Sequence, residues 1–281
     1  MRARRASQTA SMVALLRALA DRGLTTVPGF SDPFAGRLLS PRWRLGLTLA
    51  ERALARAPPE QRFRDGHLDT LPLRVVAIDA ELERAVHSGC RQVVILGAGL
   101  DTRAYRLPWL AGVTLFEVDH PGTQAAKRRR AAKLEPVVAR LVYVPVDFER
   151  DRLVEKLAAA GHRPELPTAW IWEGVVMYLS DDGFRASLRA VSEASAPGSV
   201  LLVHYHEPGG GSPRAMRLLL RLWSEPQIGL RPRGVMAGEC RKAGFTVERD
   251  SGGSEWMARF GAQPVASSRA MSQRLLVVSR P

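Results

Sequence analysis

The sequence predicts an α/β fold: a mostly parallel sheet covered by helices on both faces and preceded by a helical segment. Three observations lead there. Residues 93–96, 114–119, 141–147, 169–173 and 200–205 are short apolar runs of strand length. Residues 122–133, 151–160 and 183–194 carry helical patterns between most of them, and strands that alternate with helices pair in parallel. The first strand breaks directly into Gly97-Ala98-Gly99, the turn by which such sheets bring backbone close to a nucleotide.

In chain order, residues 9–57 read as helical, with Val13, Leu16, Leu19 and Ala20 in the first run and a second apolar run over 45–54. Pro28, Pro33 and Pro41 punctuate them. A third helix is expected over 73–88, where Val75, Ile78, Leu82 and Val86 lie on one side and Gly89 supplies the stop. Residues 1–88 are therefore expected to cap a sheet domain spanning 89–281. Beyond the fifth strand, Glu207-Pro208-Gly209-Gly210-Gly211 and an expected helix over 213–223 form a lid insertion, around 206–240. It would overhang the carboxyl ends of the strands, where open α/β sheets bind ligands. Its apolar residues Met216, Leu218, Leu219, Leu220 and Trp223 suit either an acceptor pocket or ordinary core. Residues 245–250 and 274–279 read as two further strands with no strong helix between them, and the last is expected to run antiparallel to its neighbour.

A chain of 281 residues that is 46% hydrophobic buries a large core. The formal charge of +13 points toward an anionic partner, but 37 of the 41 cationic residues are arginine and they are scattered. Lys127-Arg128-Arg129-Arg130, the densest cluster, reads as a solvated helix face. Without a contiguous basic stripe or aromatic stacking platforms, a nucleic-acid partner is not expected. Cys90 and Cys240 lack metal-ligand spacing and no His-x-x-x-His pair occurs, so no metal site is expected. Two thiols in so long a chain suit a reducing, cytoplasmic compartment. The apolar stretch after Met1-Arg2-Ala3-Arg4-Arg5 is interrupted by Arg17, and no run of about 18 uncharged apolar residues follows, so no membrane span is expected. Oligomeric state is not legible.

The strand ends carry the chemistry. Asp101 follows the first turn, Glu117 and Asp119 close the second strand, Asp147 the third and Glu173 the fourth, so acids line one rim of the sheet. Gathered carboxylates need donors or a cation, and a ligand with hydroxyls, an amine and a positive centre supplies them. Asp119 stands 22 residues after Gly97, the spacing at which an acid accepts from ribose hydroxyls. That fits a nicotinamide dinucleotide and S-adenosylmethionine equally. Thr102 occupies the place of a third dinucleotide glycine, so room for a pyrophosphate is not signalled. Asp147-Phe148 suits an adenine, the carboxylate accepting from the exocyclic amine, and Glu173 suits an ammonium. Gly97, Gly99, Asp101, Asp119, Asp147, Phe148 and Glu173 are thus candidates to bind the cofactor.

These residues sit in longer motifs. They are Leu73-Arg74 with Ile78-Asp79, the run from Gln92 to Arg103 continuing through Tyr105-Arg106-Leu107-Pro108, Phe116-Glu117-Val118-Asp119-His120-Pro121, Val146-Asp147-Phe148, and Glu173-Gly174-Val175-Val176-Met177-Tyr178-Leu179. Together they resemble the S-adenosylmethionine-dependent methyltransferases related to leucine carboxyl methyltransferase, among them bacterial small-molecule O-methyltransferases. The likeness implies the class I methyltransferase sheet, Rossmann-like and seven-stranded with an antiparallel last strand, under a helical cap. It implies that Arg74 pairs with the methionine carboxylate, that Gly97 and Gly99 lie against the cofactor and that Asp119 holds the ribose. Asp147 and Phe148 would bracket the adenine, and Glu173 would contact the amino-acid end. The first 60 residues and 207–240 match loosely, so the acceptor does not carry over.

Methyl transfer is an in-line displacement; a carboxylate acceptor needs no base, whereas a hydroxyl benefits from one. His204 and His206, at the end of the fifth strand, are candidates for that base, with support of the lid as the alternative. Tyr178 and Tyr205 are candidates to orient the acceptor, or to pack. The expected function is methyl transfer to a carboxyl or hydroxyl oxygen of a small-molecule acceptor, as in natural-product biosynthesis. Two other readings stay open on the residues alone: a nicotinamide-dependent oxidoreductase, from Gly-x-Gly with Asp119, and a basic RNA-binding or tRNA-modifying protein, from the charge.

Overall fold

Among the described residues three α-helices precede the sheet: α1 (Gln8–Leu19), α2 (Pro41–Arg56) and α3 (His67–His87). The computed structural model describes residues 7–56, 67–148, 150–209, 223, 228–262 and 272–281. α3 begins six residues ahead of the expected start at 73 and holds Pro72 inside it. A proline there removes one backbone hydrogen bond, but Leu71, Leu73, Val75, Ala77 and Ile78 are all buried around it, and that burial outweighs the lost bond.

The sheet then follows as β1 (Gln92–Leu96), β2 (Thr114–Asp119), β3 (Arg140–Pro145), β4 (Thr168–Trp172), β5 (Val200–His206), β6 (Thr246–Gly252) and β7 (Gln273–Ser279), ordered β3-β2-β1-β4-β5-β7-β6. β1 is central, with Val94 opposite Phe116 on one side and Trp170 on the other in parallel register. All five of its residues are buried, as expected of a strand covered on both faces, which is why residues 93–96 read as an unbroken apolar run. β7 lies antiparallel between β5 and β6, as the tail of the sequence led us to expect.

The connections are α4 (Arg103–Arg106, a single turn), α5 (Pro121–Ala131), α6 (Leu153–Ala159), α7 (Asp181–Glu193), α8 (Arg233–Lys242) and α9 (Gly253–Phe260). α9, between the last two strands, was not anticipated. It is short and bounded by Gly252 and Gly261, so it looks like turn in sequence, but Glu255 accepts from the Gly252 N–H at 3.0 Å and Trp256 anchors the helix in the core. α8 occupies part of the expected 206–240 insertion and buries Met236 and Cys240 in the core, rather than arching over the strand ends. The expected helix over 213–223, with Met216, Leu218, Leu219 and Leu220, lies outside the described residues apart from Trp223, which packs edge-on against Trp43 of α2.

Two cores result. On one face, Leu73, Ile78 and Leu82 of α3 and Ala14 and Ala18 of α1 pack against Val93, Ile95, Ile171 and Leu202. On the other, Leu157, Phe184, Leu188 and Met236 pack against Val94, Phe116, Trp170 and Val203. The first core runs without interruption from the N-terminal helices into the sheet. Cys90 and Cys240 are buried free thiols pushed up by that burial, to about 11 and about 12, which keeps both unreactive. Among the described residues no helix is long and apolar enough to cross a membrane, and no cluster of metal-ligating side chains occurs.

Candidate active site

The carboxyl ends of β1, β2 and β4 open on one cavity of about 370 Å³. Its floor is the turn after β1. Gly97 has φ +67° and a Cβ there would lie 2.3 Å from Val175 Cγ2, so both conformation and space demand glycine. Gly99 has φ +53°, and its Cβ would sit 3.1 Å from Ala10 Cβ of α1. The N-terminal half of α1 thus lies directly on the glycine turn, with Ser7, Thr9, Ala10 and Val13 lining the cavity.

Asp119, the last residue of β2, accepts from the Gly99 N–H and, at 2.6 Å, from the His120 N–H. Burial pushes its carboxyl up, and these two N–H groups oppose the shift. His120 caps α5: its Nδ1 accepts from the Gly122 N–H at 3.2 Å, which places the ring proton on Nε2. β3 ends at Pro145, two residues short of the expected end, where its partner β2 also ends at Asp119; Pro145 suits this edge strand because its missing N–H faces away from β2. Val146 then donates to Asp119 O at 2.9 Å, folding Asp147 and Phe148 over the end of the cavity.

At the other end lies a buried network of charges. Glu173 Oε1 accepts from Arg74 Nε and Nη2, both at 2.8 Å, and Oε2 accepts from Arg103 Nη2 at 2.9 Å. Arg103 also donates from Nε to Asp79 at 2.7 Å and from Nη1 to Asp101, and Arg106 reaches Asp79 at 2.6 Å. Burial raises the Glu173 carboxyl, but Arg74 and Arg103 outweigh it and hold it down to about 2. Asp101 is held low in the same way by Arg103, Lys127 and Arg17 against its burial. Asp101 does line the cavity, yet Arg103 engages both of its oxygens, so its evident work is to orient that arginine.

The structure brings Arg74, Gly97, Gly99, Asp101, Asp119, Asp147, Phe148, Glu173 and Tyr178 to this one cavity. It does not bring His204 and His206 there. Both are buried in β5, on the face turned toward α3, with their rings edge-to-face at 5.0 Å. A strand-end position in sequence does not say which side of the sheet a side chain takes. Tyr205, one residue between them, points to the opposite core and donates to Asp250 at 2.9 Å, which corrects its reading as an acceptor contact.

Sequence reasoning missed two groups. Arg17, 5% exposed, donates to Leu100 O at 2.6 Å and pairs with Asp32 at 3.0 Å, while Thr102 donates to the same Asp32 at 2.8 Å. This pins α1 to the glycine turn; an arginine inside an otherwise apolar helix stripe was the available signal. Glu117 pairs with Lys127 of α5 at 2.5 Å, both 1% exposed. The pair was hidden because Lys127 opens a run of cations that reads as solvated.

The model of the leucine carboxyl methyltransferase family matches residues 10–192. A protein of Mycolicibacterium paratuberculosis named for S-adenosyl-L-methionine-dependent methyltransferase activity is 38% identical over 216 residues, 74% of this chain and 69% of its own length. One of Mycobacterium marinum with the same name is 40% identical over 214 residues, 74% and 68% of the two chains. Among solved structures, a methyltransferase of Thermobifida fusca is similar over 99% of this chain and 96% of its own, at 17% identity and TM-score 0.59. Magnesium protoporphyrin IX methyltransferase of Synechocystis, solved with S-adenosylhomocysteine bound, is similar over 84% and 95%, at 11% identity and TM-score 0.51. The chain belongs to the leucine carboxyl methyltransferase family and is an S-adenosylmethionine-dependent methyltransferase.

The cavity fits that cofactor on its own chemistry. A glycine turn that tolerates no Cβ lies beside an acceptor-only carboxylate for hydroxyls, and the paired Arg74 and Glu173 offer a cation and an anion to a zwitterionic amino-acid end.

Proposed function

We propose that this member of the leucine carboxyl methyltransferase family methylates an oxygen, carboxyl or hydroxyl, of a small molecule. The observation that carries the reading is one shared space: the cofactor-type acids and the apolar surface of Val13, Val175 and Leu179, with the Tyr178 phenol, line a single cavity. When bound, S-adenosylmethionine supplies an electrophilic methyl group on a sulfonium. Arg74 and Glu173 hold its amino-acid end, Asp119 its ribose hydroxyls, and Asp147 with Phe148 its adenine. Tyr178 orients the acceptor oxygen, and α1, tied down by Arg17, excludes water. Fixing two reactants in line contributes roughly 7–11 kcal/mol to such a displacement.

The geometry favours an acceptor that arrives ionised, a carboxylate or an acidic phenol. His120 is the imidazole among the described lining residues, and its Nδ1 is already taken by the α5 backbone. A neutral alcohol would find no imidazole nitrogen there ready to take its proton.

Calorimetry with S-adenosylmethionine and its demethylated product should show binding. Asp119→Ala removes two hydrogen bonds to a charged acceptor, together about 3 kcal/mol or more, and should weaken binding at least ~100-fold. No binding to the wild-type chain overturns the proposal. A methyl-labelled donor offered with phenols and carboxylic acids then identifies the bond made: base releases labelled methanol from an ester and leaves an ether intact. Label transferred only to nitrogen or carbon refutes oxygen as the acceptor.

A further inference from the structure

The turn after β4 is gripped from outside the cavity by a segment that the family motifs do not reach. Val176–Tyr178 forms one 3-10 turn, and it carries the phenol and Leu179 into the cavity. Residues 228–231 run across its back. The Ile228 and Gly229 N–H groups both donate to Met177 O, at 2.9 and 2.8 Å, and the Arg231 N–H donates to His206 O at the end of β5, at 3.1 Å.

The Arg231 side chain, 4% exposed, closes the grip. Nη1 donates to Gly229 O at 2.8 Å and to Val176 O at 3.2 Å. Nη2 donates to Leu179 O at 3.2 Å and to Asp181 at the start of α7 at 2.9 Å. The guanidinium also lies 4.5 Å from the Phe184 ring centroid, and Phe184 stacks on Trp172, the residue before Glu173. One planar fork thus holds the carbonyls on both sides of Met177 and Tyr178, which a lysine, with a single charged centre, does not reproduce. Gly229 is fitted to the same contact: a Cβ there would lie 2.5 Å from Val176 O and 2.6 Å from Leu179 O.

We propose that Arg231 is a positioning residue for the methyl acceptor, acting through the Val176–Tyr178 turn. It does not line the cavity, so its effect on the reaction passes through Tyr178. The proposal rests on the reading of Tyr178 as the acceptor-side contact. Its consequence is a division of labour: the cofactor end is set by Arg74, Arg103 and Asp119, and the acceptor end by Arg231, with little shared between them.

The chain has four tyrosines, so 3-fluorotyrosine labelling gives a readable ¹⁹F spectrum in which Tyr178→Phe assigns the Tyr178 signal. Arg231→Lys should shift or broaden that signal while leaving those of Tyr105 and Tyr143 in place, with the dissociation constant for S-adenosylhomocysteine changed less than twofold. Gly229→Ala, which opens the same contact without removing a charge, should give the same signature and serves if Arg231→Lys does not fold. With whichever phenol or carboxylic acid the base-lability screen identifies, kcat/KM for that acceptor should fall at least tenfold, in a manner not additive with Tyr178→Phe. A variant that lowers only the melting temperature, with the Tyr178 signal unmoved, overturns the proposal, as does an equal loss of S-adenosylhomocysteine affinity. Failure of the wild-type chain to bind S-adenosylhomocysteine would instead count against the proposed function, because the ¹⁹F comparison needs no ligand.

Discussion

Replacing Glu173 by glutamine keeps the shape of the side chain and deletes one charge from the middle of the Arg74, Arg103, Asp79 and Asp101 network. Arg103 keeps Asp79 and Asp101 as partners, whereas Arg74 loses the carboxylate at 2.8 Å. A carboxyl held at about 2 instead of its usual 4.5 stabilises the fold by about 3 kcal/mol at neutral pH, at about 1.4 kcal/mol per pH unit. The sign follows from the direction of the shift. The native state binds this proton more weakly than the unfolded chain does. The stabilisation is therefore complete above pH 4.5 and lost as pH falls toward 2. Glu173→Gln should be less stable than wild type by about 3 kcal/mol at pH 7 in urea unfolding of the ligand-free chain. The gap should close on acidification through that window. Asp101 is also held low, so the variant keeps part of the acid slope. A difference under about 0.5 kcal/mol at pH 7, or a gap that stays constant down to pH 3, would refute the assignment of Glu173 as the ionised hub.

Gly97→Ala should cost about 1–2 kcal/mol for the left-handed backbone, add the 2.3 Å clash with Val175, and abolish donor binding in calorimetry. Val175→Ala in the same chain should restore space but not conformation, hence only part of the stability; wild-type affinity in Gly97→Ala alone would contradict the close approach. Lys127→Met strips the partner from buried Glu117, a loss of about 3–5 kcal/mol. Burial already pushes Glu117 up to about 7 against the pull of Lys127. An acid raised in the native state destabilises the fold as pH climbs from 4.5 through 7, so this variant should lose more at pH 8 than at pH 5.5. Adding Glu117→Gln should return it close to wild type, and equal losses at both pH values would argue against the pairing.

The sheet was legible because a strand buried on both faces must be largely apolar, as residues 93–96 of β1, 169–172 of β4 and 200–203 of β5 are. The cofactor end was legible because it is written locally, as glycines that need positive φ and acids at or shortly past strand ends. What escaped depends on long-range geometry. Arg17 and Asp32 meet through folding of the segment between two helices. Arg231 finds its carbonyl partners some 50 residues away in sequence. His204 and His206 illustrate the opposite failure. Residues at i and i+2 of a strand share a face, so both went together to the α3 side, and no local pattern says which face meets the ligand.

Among the described residues, the charge that lines the cavity fits the proposed transfer to an ionised oxygen. The chain carries +13 overall, yet among the described residues the charged side chains lining the cavity are Arg17 and Arg74 against Asp101, Asp119, Asp147 and Glu173, two positive and four negative, leaving −2. Arg17 is matched by Asp32, Asp101 by Arg103 and Glu173 by Arg74, whereas Asp119 is held by backbone N–H groups that orient it without neutralising it. The cavity therefore favours a cationic donor within a cationic protein. Transfer of a methyl group from a sulfonium to an ionised oxygen cancels charge and creates none. Such a reaction asks for no oxyanion hole and no base, only for distance and angle. Under the proposed function, a buried guanidinium that fixes the backbone on either side of Tyr178 supplies both for the acceptor.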